Sequence, residues 1–189
     1  MNQVAMLIDL DRCTGCHTCT VACQTEKGMA PGQALISVLT IGGRQDVPQG
    51  TFPDLRMDYL PKTCAHCHHP PCASACPSGA LFLREDGLVT VDANLCTGCR
   101  ACVDACPYEV MVLTENDVPR KCDMCASRLD QGLEPFCVTC CPTRAITTSK
   151  ASTGEDAYVP APHFGVKPAL RYLTRNPARW QRVKMAFLP

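Results

Sequence analysis

Short apolar runs alternate along this chain with polar turns and tight loops. Residues 4–10 form the first run and break at Asp9 and Asp11; residues 88–91 form another, followed by Asp92 and Asn94. Runs of this length, bounded by polar turns, predict strands. Ala80-Leu81-Phe82 and Ala145-Ile146 start two more, and Asp86-Gly87 supplies a hairpin turn ahead of 88–91. A stretch at 34–41 predicts a strand inside a connection, residues 27–59, that is rich in glycine and proline. Residues 14–24 and 98–105 are predicted as short helices. A longer helix is predicted over 177–187, with Asn176 as N-cap, Pro177 at the first helical position, and Trp180, Val183 and Phe187 on one face.

The pattern repeats. Ile8-Asp9-Leu10-Asp11-Arg12-Cys13-Thr14-Gly15-Cys16 is echoed by Val91-Asp92-Ala93-Asn94-Leu95-Cys96-Thr97-Gly98-Cys99, each an apolar strand, a polar turn and a cysteine loop. Of the seventeen cysteines, all but Cys140 fall into quartets. Cys13, Cys16, Cys19, Cys23 and Cys96, Cys99, Cys102, Cys106 both read C-x2-C-x2-C-x3-C; Cys64, Cys67, Cys72, Cys76 read C-x2-C-x4-C-x3-C. In the last, Cys122 and Cys125 are followed after eleven residues by Cys137 and Cys141. Three quartets end in Cys-Pro, at Pro77, Pro107 and Pro142, whereas Cys23 precedes Gln24.

This is the spacing of the bacterial ferredoxin run, in which three close thiolates wrap three corners of a cubane iron–sulfur cluster and the fourth ligates the other cluster of a pair. Proline after the closing cysteine fixes the turn that presents the sulfur. Small residues between ligands, such as Ala22, Ala73, Ala75, Ala101 and Ala105, leave room for an inorganic core. Structural zinc has no need of a third cysteine three residues on, and disulfides belong to an oxidising compartment that no signal peptide here points to.

The crossover rule then predicts an α+β fold of two nested ferredoxin-like modules, each holding two [4Fe–4S] clusters. Residues 60–113 form the inner module, and 1–26 with 114–150 the outer; 27–59 is a connecting insertion and 151–189 a basic C-terminal docking tail, with a helix folded back on its own core as the alternative. The expected ligand sets are Cys13, Cys16, Cys19 with Cys141; Cys122, Cys125, Cys137 with Cys23; Cys64, Cys67, Cys72 with Cys106; and Cys96, Cys99, Cys102 with Cys76. Cys140 is expected to be a spare buried thiol. Arg12, Lys62 and Lys121 precede opening cysteines, where a positive charge raises a cluster's potential or is merely solvated. His66, His68 and His69 are expected to make surface or partner contacts.

The formal net charge of zero understates the acidity of the loaded protein, since each thiolate-bound cluster carries a net charge of about −2 or −3. That charge argues against nucleic-acid binding. No apolar run approaches the roughly 20 residues of a membrane helix. The basic excess lies at 151–189, with Lys167, Arg171, Arg175, Arg179, Arg182 and Lys184 against Glu155 and Asp156.

Over residues 4 to about 150 the chain resembles the four-cluster electron-transfer subunits of molybdopterin oxidoreductases of the dimethyl sulfoxide and polysulfide reductase type. Its most distinctive parts are Cys64-Ala65-His66-Cys67-His68-His69-Pro70-Pro71-Cys72 and Lys121-Cys122-Asp123-Met124-Cys125 running on to Cys137 and Cys141-Pro142. The resemblance implies a non-catalytic wire that exchanges electrons with a larger molybdopterin or tungstopterin subunit, with a separate membrane subunit for any exchange with quinone. It implies a place in the cytoplasm or, by co-export with a twin-arginine partner, on the periplasmic face. The competing expectation is a freestanding polyferredoxin or hydrogenase-linked carrier.

Overall fold

The computed structural model describes residues 3–42, 47–149, 157–159 and 165–187. In chain order its elements are β1 (Ala5–Asp9), α1 (Thr18–Lys27), β2 (Ile36–Ile41), β3 (Asp58–Thr63), α2 (Pro71–Ser74), β4 (Leu81–Leu83), β5 (Val89–Val91), α3 (Ala101–Asp104), β6 (Val112–Leu113), β7 (Pro119–Arg120), α4 (Ala126–Leu129), α5 (Phe136–Thr139), β8 (Ile146–Ser149), β9 (Ala157–Tyr158), β10 (Arg171–Leu173) and α6 (Pro177–Val183). The mixture of short helices and strands is the expected α+β class.

Alternation along β1 sends Met6 and Ile8 into the core. On one side β1 pairs antiparallel with β8, Ile8 opposite Ile146; on the other it pairs parallel with β10, Ile8 opposite Tyr172. The sheet order β8-β1-β10-β9 thus brings the first strand against residues more than a hundred positions away. The remaining sheets are hairpins: β2 with β3, β4 with β5, and β6 with β7. Gly87 takes a φ of +82° in the turn between β4 and β5, where Asp86-Gly87 predicts one. Asp9 and Asp92, matching positions of the repeat, shape the same local turn. The Asp9 Oδ1 accepts the Asp11 N–H at 2.8 Å, and the Asp92 Oδ1 accepts the Asn94 N–H at 2.9 Å.

Three expectations need correction. The helix predicted at 14–24 starts only at Thr18, because Gly15 and His17 sit at φ +70° and +58°, outside the helical region; the one at 98–105 is reduced to α3 for the same reason at Gly98 and Arg100, φ +71° and +61°. The strand expected at 34–41 is present as β2, paired to β3 from Ile36–Thr63 to Ile41–Asp58.

The third correction concerns the docking tail. Over its described residues it is built into the body. Tyr172 and Val183 are fully buried and Trp180 and Phe187 nearly so, and each such side chain withdrawn from water contributes about 1.5–3 kcal/mol. The Tyr172 hydroxyl donates to the Pro61 carbonyl at 2.7 Å, and Tyr158 stacks on Trp180 with centroids 5.0 Å apart. The Asn176 Oδ1 caps α6, accepting the Ala178 and Arg179 N–H groups. Its basic face is paired inward: Asp58, only 4 % exposed, accepts Arg179 Nε at 2.9 Å and Arg182 Nε at 2.6 Å.

Asp11 closes the same seam, accepting the Arg175 N–H and an Arg179 guanidinium N–H at 2.7 Å each and the Thr174 hydroxyl at 2.8 Å. Burial pushes its carboxyl up, but the Arg175 N–H, the Thr174 hydroxyl and the two arginines outweigh it, and the net shift is downward. A depressed carboxylate stabilises above its unfolded value, about 3.9, and loses that contribution only as pH falls through the lower folded one. Asp11→Asn is therefore expected to weaken the seam by about 1–2 kcal/mol, read as faster proteolysis of the C-terminal segment. The difference should stay constant from pH 8 to pH 5; a difference that shrinks across that range would contradict this role.

Candidate metal-cluster sites

The third residue of each quartet's opening C-x-x-C is left-handed: Gly15 at φ +70°, His66 at +43°, Gly98 at +71° and Met124 at +57°. The reversal curls the loop and turns backbone N–H groups toward sulfur. The Gly98 N–H donates to Cys96 Sγ at 3.4 Å and the Met124 N–H to Cys122 Sγ at 3.4 Å. At His66 and Met124 a residue with a side chain takes the strained conformation, held in place by burial to 1 % and 2 % exposure.

At Gly15 the constraint is space. A Cβ there would lie 2.4 Å from the Tyr59 ring, whereas at Gly98 it would meet its nearest neighbour, Asp117 Cβ, at 3.4 Å. His66 and Met124 show that the backbone conformation alone is tolerable, so Gly15→Ala is expected to cost the Cys13 loop its metal while Gly98→Ala keeps its own. Iron per protein should fall by about one cubane, roughly four irons, in the first variant only. Equal losses in both would contradict the steric account.

The loops and helices gather the cysteines into separate sites. Cys13, Cys16, Cys19 and Cys141 line one hollow with Val38, Pro61 and Ile146. Cys23, Cys122, Cys125 and Cys137 line a second with Met6, Leu35 and Ile36. Cys64, Cys67, Cys72 and Cys106 line a third with Val89, Tyr108 and Met111. Cys102 lies in the fields of Cys76, Cys99 and Cys96, which bring the remaining quartet together. These are sites A, B, C and D in that order.

The C-x3-C spacing divides each closing pair between neighbouring sites. One helical turn, about 6 Å of rise, separates Cys19 at site A from Cys23 at site B on α1. On α5 and its end, Cys137 serves site B and Cys141 site A. In the same way Cys72 and Cys106 line the third hollow, while Cys76 and Cys102 lie in each other's field. Sites B and C meet where Cys122 lies in the field of Cys64. The order is A, B, C, D. Cys16 at A and Cys99 at D are exposed, while no cysteine of B or C is.

The donor set suits an iron–sulfur core. Soft thiolates in apolar walls are the ligands such clusters take. Among the described residues no three His, Cys, Asp or Glu side chains converge as closely as a single metal ion requires. Burial, then neighbouring cysteines, push Cys67 and Cys122 up to about 12 and Cys19 up to about 11. Such sulfurs are thiols until metal displaces their protons. Exposed Cys16 shifts the other way, held down first by the Thr18 hydroxyl.

Some side chains depart from expectation. His66 is buried, not at the surface: its Nδ1 accepts the Val89 N–H at 3.2 Å, and burial, then Lys121, hold its pKa well below the usual imidazole value. His68 and His69 are exposed, as expected. Cys140 is half-buried and lines none of the three hollows. Lys121 is buried while Arg12 is exposed. The Lys27–Asp123 pair, Nζ to Oδ1 2.7 Å, flanks site B and carries no sequence signal, its members being 96 residues apart.

Residues 55–151 match the model of the 4Fe-4S dicluster domain, and residues 4–25 that of a 4Fe-4S binding domain. The chain is 32% identical to the putative iron–sulfur B subunit of a dimethyl sulfoxide reductase from Halobacterium salinarum, over 98% of this chain and 85% of the relative. It is 35% identical to the B subunit of tetrathionate reductase from Salmonella typhimurium, over 96% and 81%. It is 34% identical to the B polypeptide of polysulfide reductase from Wolinella succinogenes, over 89% and 92%. With cysteine quartets gathered into hollows and this likeness running nearly end to end, the protein belongs to the 4Fe-4S iron–sulfur B subunits of the dimethyl sulfoxide, tetrathionate and polysulfide reductase family.

Proposed function

We propose that this chain is an electron relay of four [4Fe–4S] clusters, serving a larger molybdopterin or tungstopterin catalytic subunit. The ligand sets are Cys13, Cys16, Cys19 with Cys141; Cys23 with Cys122, Cys125 and Cys137; Cys64, Cys67, Cys72 with Cys106; and Cys76 with Cys96, Cys99 and Cys102. Each bound cluster supplies one-electron redox chemistry. The protein's part is to fix the order of the sites, exclude water from the middle two and donate N–H groups to sulfur.

One observation carries the reading: the cysteine pairs one turn apart split between adjacent hollows, so the sites form a continuous line with an exposed ligand at either end. It also supports two nested modules, A with B from the outer segments and C with D from 60–113. Electrons enter and leave at Cys16 and Cys99. No helix among the described residues is long and apolar enough to cross a membrane, so quinone exchange falls to another subunit. Val47, Phe52 and Leu55, on the segment that leads into β3, are exposed and offer apolar contacts to a partner.

Capture of the chain from anaerobic native extract tests the partner. A larger pterin-bearing protein that is reduced or oxidised through this chain is the expected result. Recovery as a lone carrier would favour the freestanding polyferredoxin instead.

A further inference from the structure

Lys121 lies between sites B and C with its side chain turned inward, 5 % exposed. Its Nζ donates to the Cys122 carbonyl at 2.8 Å, to Cys64 Sγ at 3.6 Å and to the Val89 carbonyl. Three acceptors use the three N–H bonds an ammonium has. One acceptor belongs to a residue of site B, the second is a ligand of site C, and the third belongs to a residue of the site C wall. Among the described residues no carboxylate pairs with it. Lys27, the other lysine beside site B, is neutralised by Asp123 at 2.7 Å. Lys121 therefore places an uncompensated positive charge in the low-dielectric gap between two sets of thiolates.

Resting on the four-cluster reading above, we propose that Lys121 is a positioning residue for electron transfer that raises the reduction potentials of the two central clusters together. Reduction adds negative charge to a cluster, and a fixed cation a few ångströms away favours the added charge most where water does not screen it. The field reaches both sides, because the same Nζ lies 3.6 Å from Cys64 Sγ at site C and 2.8 Å from the Cys122 carbonyl at site B. Its bonds to Cys64 and Cys122 keep it near both sites, so neither central cluster becomes a deep barrier to an electron passing from A to D. Arg12 cannot do this from its exposed position at one end.

The test is an anaerobic redox titration followed by electron paramagnetic resonance on the full chain with its clusters, as wild type, Lys121→Gln, Lys121→Met and Lys121→Arg. Iron and sulfide content are measured alongside. The neutral variants are expected to keep their iron and to lower two of four midpoints, each by about tenfold or more in the reduction equilibrium, or about 59 mV for one electron. The other two midpoints stay fixed, and Lys121→Arg restores the lowered pair toward wild type. Unchanged midpoints, an equal shift of all four, or loss of iron from all three variants alike would overturn the proposal, the last by making Lys121 a structural staple. A wild-type protein without about sixteen irons would instead defeat the four-cluster reading itself.

Discussion

Cys122→Ala is expected to remove about one cubane's worth of iron, lowering the content from about sixteen to about twelve per chain, and to interrupt electron transfer through the subunit. Cys122 stands with Cys23, Cys125 and Cys137 around an interior hollow walled by Met6, Leu35, Ile36, Met124 and Pro135, with the Lys27–Asp123 pair at its side. Nothing nearby replaces its sulfur: Cys140 does not reach this hollow, and Asp123 is held by Lys27. Changes in the shell outside a metal's ligands already cost about 10–100-fold in affinity or activity; loss of a ligand at an interior link should exceed that. Cys140→Ala is the control, expected to match wild type in iron content and transfer rate. Iron analysis and dithionite-driven reduction of the partner read both variants, and a deficit in Cys140→Ala equal to that of Cys122→Ala would refute the assignment of the spare thiol.

Removing the iron altogether should unfold the body. Each site ties together segments far apart in sequence, Cys13 with Cys141 and Cys23 with Cys137 among them. What remains between those segments is a set of strands of two to six residues and helices of one turn, with only α1 and α6 longer, at ten and seven residues, all too short to persist unaided. A single structural metal in a small domain contributes about 10–16 kcal/mol, comparable with the whole stability of a typical domain, about 5–15 kcal/mol. Losing four cluster sites therefore leaves no net stability. Anaerobic chelation should abolish cooperative thermal unfolding followed by circular dichroism and open the chain to protease from end to end. A metal-free protein that keeps a sharp transition would mean that the apolar core, from Met6 to Phe187, holds the fold by itself.

The parts legible in the sequence are those set by local spacing. The quartets and the short strands at 80–83 and 88–91 follow from residues a few positions apart. The ends of the helices are not legible in this way, because Gly15 and His17 carry the chain through left-handed conformations that only the wrapped loop demands. The C-terminal stripe of Trp180, Val183 and Phe187 is visible, but an apolar face looks the same whether it covers its own core or a partner. Its inward choice is set by Asp58 and Asp11, more than a hundred residues away. Lys121 and His66 are likewise placed beside cysteines by sequence, yet their burial depends on Val89 and Cys64 brought in from elsewhere.

The central claim is most directly tested by counting metals in the native complex, purified without oxygen. Iron, acid-labile sulfide, molybdenum, tungsten and zinc would be measured against each chain, and the copurifying chains identified. The account predicts about sixteen irons and as many sulfides on this chain, with one molybdenum or tungsten in a larger partner. Zinc in place of iron, or sixteen irons with neither metal nor partner, would contradict it.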